Sequence, residues 1–162
     1  MTASLTRTLV IGATILGGLL AGMTVDKSVV QLPSWRQIGP VTWAEFTRLA
    51  DLGRGLIFYP TQGIGALLCS VVAAVAFSIS RASPRGAAIP IYGAAALAVA
   101  ALIVTRYIIA PDVLSLSSIG ENAAALQKVF DRVQAWWVLK ASLHALTFCA
   151  NVWALVALGG QQ

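Results

Sequence analysis

Residues 136–158, WWVLKASLHALTFCANVWALVAL, form an apolar run long enough to cross a bilayer as a helix, yet they carry Lys140, His144 and Asn151. Hydrocarbon tolerates such groups only where partners are turned toward them. The run therefore predicts a span with one polar side, facing other helices. Residues four and seven apart share a stripe on an α-helix. Lys140, His144 and Asn151 keep that spacing, with Thr147 between them and Trp137 extending the stripe outward. Measured from Trp136, His144 lies roughly 12 Å along the axis at the helical rise per residue.

Three further apolar runs, at about residues 8–25, 56–80 and 87–109, have spanning length. The whole chain of 162 residues is 58% hydrophobic and only 10% charged, with a mean hydropathy of +0.81. These values lie outside the range of soluble domains. Lipid-exposed irregular backbone is not tolerated in hydrocarbon. The expectation is an all-α fold, an integral membrane four-helix bundle with two long polar loops capping one face, as a single domain over residues 1–162. The first run extends to full length without an A-x-A site, so it reads as a span and not a cleaved signal. Within it, Gly18 and Gly22 are spaced for close helix packing inside the bundle.

Composition also excludes functions. The eleven Lys and Arg are scattered singly between apolar runs, whereas nucleic-acid binding needs clustered cations. Cys69 and Cys149 lie in apolar runs with no CxxC, so they read as small packed residues and not as a metal or redox pair. A lone histidine without a carboxylate at ligand spacing does not suggest haem or a metal. No cofactor is expected.

The two long connections, about 26–55 and 110–135, must emerge on the same side after four crossings. Arg7, Arg81 and Arg85 lie on the opposite side with no acid, which suggests a bacterial inner-membrane protein with both termini cytoplasmic. A literal count of cations points the other way, since the long connections hold six Lys and Arg, with Arg106 and Lys140 in the adjoining ends of the spans, interleaved with all six acids. The cytoplasmic placement is adopted because those cations should be paired locally. In residues 41–54, Glu45, Arg48, Asp51 and Arg54 recur every third position, which predicts an amphipathic helix laced with ion pairs. Residues 121–135 predict a second, running into Trp136, with Ser117 or Ser118 as its cap. Pro111 is expected to stop the third span, and LSLSSIG to form a turn. A faint repeat links the halves: Pro33 then Ile38-Gly39, and Pro111 then Ile119-Gly120.

Polar groups from every span converge on the side of the long connections: Asp26, Lys27, Arg54, Tyr59, Gln62, Arg106, Tyr107, Asp112 and Lys140. Together they predict a pocket open to the capped face with His144 near its floor. His144 suits a general base because imidazole titrates near neutrality. Arg106, Arg54 or Lys140 would hold a developing enolate or phenolate oxygen. Tyr59, Gln62, Trp137 and Asn151 are the expected ligand contacts. The competing explanation is that His144 and Asn151 bond neighbouring helices as structural glue.

Three stretches, AGMTVDKSVVQLPSW (21–35), RYIIAP (106–111) and WWVLKASLH (136–144), resemble the anthrone-oxygenase-like family of small four-span membrane proteins. The resemblance implies oxygenation of a polycyclic aromatic without metal or flavin, begun by proton removal, and it points to Arg106, Trp137 and His144. The chain departs from the fungal enzymes at DVLSLSSIGEN (112–122), where Asn122 stands in for an Asn-containing motif. The expected partners are membrane lipid and a lipophilic aromatic or quinone-like ligand. The alternatives are a non-catalytic accessory subunit of a larger membrane complex or homo-oligomer, docked through the small-residue faces Gly17, Gly18, Gly22 and Gly93, Ala94, Ala98, or a lipid-pocket carrier.

Overall fold

The computed structural model describes residues 2–80 and 84–160. Arg81 lies outside the described residues, as does the side chain of Arg85. Helix α1 (Thr2–Asp26) continues through a π-helical turn at Lys27–Gln31 into α2 (Leu32–Ile38). Beyond Gly39, α3 (Pro40–Leu49) passes through a second π-turn, Ala50–Arg54, into α4 (Gly55–Ile79). Helix α5 (Ala88–Val104) passes through a third, Thr105–Ile109, into α6 (Ala110–Ile119), and the long α7 covers Ala123–Gly159. No strand occurs among the described residues.

Four continuous stretches result: Ser4–Ile38, Pro40–Ile79, Ala88–Ile119 and Ala123–Gly159. Each is long and apolar enough to cross a membrane. They hold 35, 40, 32 and 37 residues. That is roughly 50–60 Å of helix against about 30 Å of hydrocarbon, so one end of the bundle has length to spare. Helix α1 packs against α4 and α7, and α5 against the same two, closing a ring in chain order. Large aliphatic side chains cover the outside of all four, among them Ile15, Ile79, Ile89 and Val156, each at least 60% exposed.

The expectation that Pro111 ends the third span is overturned. A proline cannot donate to the carbonyl four residues before it, and its ring collides with that carbonyl. For Pro111 this is Tyr107, and for Pro33 it is Val29; each lies inside a π-turn, whose wider i→i+5 ring relieves the conflict. The helix therefore survives the proline. LSLSSIG is likewise helical to Ile119, and the chain turns only at Gly120, where φ is +65°. Gly39, at φ +88°, ends α2 in the same way. Both values lie where side chains with a Cβ are strained. The repeat of Pro, helix and Gly is thus a repeat of backbone geometry.

Ser117 and Ser118 do not cap α7, because they still belong to α6 and bond back to Leu114 O and Ser115 O. Asn122 is the cap, its Oδ1 accepting from the Ala125 amide at 3.1 Å.

Two cores divide the bundle along its length. At the end holding α2, α3, α6 and the start of α7, bulky residues pack together, including Trp35, Trp43, Leu116, Leu126, Phe130 and Trp137. At the other end the core is Val10, Ala73, Ala74, Phe77, Ala87, Ile91 and Ala154. The two polar loops are helical extensions of the spans. They form a cap with its own hydrophobic interior.

The local ion-pair ladder in α3 does not form. Asp51 pairs with Lys27 at 2.6 Å, and Arg48 donates to Leu116 O (2.9 Å) and Gly120 O (2.6 Å) at the end of α6. Orphan carbonyls at a helix C-terminus attract such a cation more strongly than an exposed carboxylate does. Asp112 pairs with Arg132, tying α6 to α7.

Candidate functional site

Where cap meets bundle, the seam residues of α7 meet groups from the other helices. Lys27 follows directly on the last residue of α1 and is 7% exposed. Burying an ammonium requires compensation, and three neighbours supply it. Asp51, from the second π-turn, gives the ion pair. The rings of Tyr59 and Trp137 lie 4.8 and 4.6 Å from Lys27 Nζ, within cation–π range. The Tyr59 hydroxyl lies beside the Asp51 carboxylate. Ser28 Oγ donates to Thr24 O at 2.8 Å and lies 3.4 Å from Trp137 O, which places the first π-turn beside α7 at this level.

Lys140, one turn along α7 from Trp137, places its Nζ 5.2 Å from the same indole ring. It is half-buried and within electrostatic reach of both Lys27 and Asp51. Among the described residues no acid forms an ion pair with it. The cluster thus holds two ammonium groups around one indole and one carboxylate between them. His144, one turn further in, is half-buried and faces Lys140. Gln62 lies one turn below Tyr59 on α4, with its Oε1 buried and unpartnered among the described residues.

The structure therefore brings Tyr59, Trp137, Lys140 and His144 to one region, with Gln62 at a similar depth. It does not bring Arg54 or Arg106 there. Arg106 lies in the third π-turn between buried Val104 and buried Ile109, and the extra residue of that turn rotates it outward. Arg54 follows the kink at Gly53 (φ −83°, ψ −116°) and is also exposed.

Asn151 is 2% exposed and lies roughly 16 Å beyond Lys140 along α7, too far to belong to the same cluster. Its Nδ2 is unpartnered among the described residues and sits 3.8 Å from where a Cβ on Gly17 would be. A Cβ on Gly18 would meet the Phe148 ring at 3.0 Å. Gly17 and Gly18 are thus used against α7 inside the bundle, whereas Gly22, expected to pack with Gly18, is exposed with nothing against it. Cys69 and Cys149 are both free.

Beside the cluster lies a small void that neither Lys140 nor His144 lines. The void beside the cluster, lined by Trp35, Trp43, Thr47, Asp51, Phe130 and Trp137 among others, has a volume of about 10 Å³. Bulky cap side chains fill the space that polar loops would have left. Sequence reasoning missed Asp51 because its three-residue spacing from Arg48 and Arg54 suggested a local partner, and Thr47 because nothing distinguishes it from other helical threonines. No protein-family model, curated protein or solved structure matches the chain.

Proposed function

We propose that the chain is an integral membrane protein whose site at the bundle–cap junction holds the acidic oxygen of a lipophilic molecule. The apolar bundle spans the bilayer, its exposed aliphatic surface against lipid. The cap projects on the side away from both termini, which face the cytoplasm of a bacterial cell. The observation that carries the reading is Lys140, a half-buried cation without an acid of its own beside a second buried cation. A phenolate or enolate supplies the missing negative charge, and charge-assisted hydrogen bonds in such a place are strong. His144, behind Lys140, accepts the proton that forms the anion. The proton removal implied by the anthrone-oxygenase-like motifs is therefore assigned to His144, with Lys27 and Lys140 as the oxygen's holders and Trp137 as the platform beneath them.

Because the void at the cluster is about 10 Å³, far below the hundreds of Å³ of an ordinary ligand pocket, the ring system of the ligand lies between helices on the lipid side. For the accessory-subunit alternative, Gly17 and Gly18 are occupied by Asn151 and Phe148, whereas nothing packs on Gly22 or Gly93.

The test uses protein in lipid nanodiscs and anthrone as the probe. Binding is followed by quenching of tryptophan emission, and conversion, in which anthrone and dissolved dioxygen give anthraquinone and water, by the absorbance of anthraquinone. Lys140→Met is expected to weaken binding about tenfold or more, the worth of a hydrogen bond to a charged group. His144→Ala should retain binding and lose conversion. Unchanged affinity in Lys140→Met would sink the assignment, and a stably co-purifying protein would favour the accessory role.

A further inference from the structure

Thr47 is 1% exposed, and its hydroxyl has no hydrogen-bond partner among the described residues. Other helical threonines here satisfy theirs by bonding to the carbonyl four residues back: Thr14 to Val10 O, Thr24 to Leu20 O, Thr61 to Ile57 O and Thr147 to Leu143 O. Thr47 makes no such bond to Trp43 O. Instead it lines the 10 Å³ void together with Asp51. Leaving a buried hydroxyl unpaired is costly, so its side chain calls for a partner inside the void. The volume is that of one water molecule, too small for anything larger. Lys27 bonds only Oδ1 of Asp51, and a carboxylate has further acceptor sites.

A second cavity of about 150 Å³ opens at the cap surface, lined by Trp35, Arg36, Gly39, Pro40, Gln127, Phe130 and Asp131. Trp35 and Phe130 line both cavities. Only these two aromatic side chains are common to the outer groove and the inner void.

We propose that Thr47 and Asp51 hold a water molecule in the inner void, and that this void is the inner station of a water path from the cap groove to the Lys27–Lys140 cluster, with Trp35 and Phe130 as its gate. The path lets the site exchange water and protons with the aqueous phase through the cap, while a lipophilic ligand approaches from the membrane. That purpose rests on the preceding reading; the water site and gate rest only on the cavities and on Thr47.

The experiment needs no ligand. A structure in lipid that shows ordered solvent is expected to place a water within hydrogen-bonding distance of Thr47 Oγ1 and the Asp51 carboxylate, and Thr47→Val should remove it. In parallel, exchange of the Trp43 and Trp137 indole N–H groups into deuterated water is measured by NMR. Phe130→Leu, a modest truncation of the gate, is expected to speed their exchange about tenfold, with the helical content unchanged and amides around the far core of Val10, Phe77, Ile91 and Ala154 as the internal control against general loosening. A dry void in the unsubstituted protein overturns the water site. Unchanged indole exchange in Phe130→Leu, or acceleration shared by the control amides, overturns the gate. A wet void in a protein that fails to bind anthrone keeps this inference and removes the ligand assignment.

Discussion

The cap and the far end of the bundle are built from the same four helices, yet they pack by different rules. The cap core uses Trp35, Trp43, Leu116, Leu126, Phe130 and Trp137, large side chains joined by Arg48, by Lys27–Asp51 and by Asp112–Arg132. The far core uses mostly alanine, and glycines such as Gly18 bring backbones close to facing rings. In water, burying large apolar area is the driving force, and ion pairs fix the arrangement of surface helices. In lipid, apolar burial between helices gains little, and close backbone approach supplies the packing energy instead. The contrast changes over near the π-turns.

Substitutions can break or sharpen this contrast. The largest effect is expected in the cap. Trp43→Ala removes a side chain 2% exposed, stacked edge-on with Phe130 at 5.0 Å, and should cost about 3–5 kcal/mol in chemical denaturation. A cost below that of the bundle variant would mean that the cap is not the hydrophobically driven half. In the bundle, Gly18→Leu drives a side chain into the Phe148 ring; about 1–3 kcal/mol of destabilisation is expected, partly restored by adding Phe148→Ala. Failure of that rescue in a double-mutant cycle would separate the two residues. The smallest effect belongs to Asp112→Asn. Its partner Arg132 is 60% exposed, so the loss should stay near or below about 1 kcal/mol and shrink in high salt. A larger, salt-independent loss would show that this pair is shielded like Lys27–Asp51.

The legibility of the fold followed the range of the forces. The four apolar runs and the amphipathic segments were readable because hydropathy and helical period are local properties. Pro33 and Pro111 were readable as interruptions, but their outcome was not. Whether a proline ends a helix or is absorbed by a π-turn depends on what the continuing helix can bury, and Leu116 and Ile109 are buried in the cap. Charge pairing failed for a related reason. Glu45, Arg48, Asp51 and Arg54 satisfy a local ladder on paper, but Lys27 and the end of α6 offered two of them less exposed partners.

What the sequence alone determined was helicity, the four spanning lengths, the side on which the polar groups gather, and the Trp137–Lys140–His144 face of α7. These follow from composition and periodicity along one chain segment. Only the tertiary structure decided that Lys27 and Asp51 complete that face, that Arg54 and Arg106 turn away from it, and that Thr47 lines a small void. Those outcomes depend on the rotation of one helix against another. A π-turn adds a single residue to the register and so changes which side chains face inward.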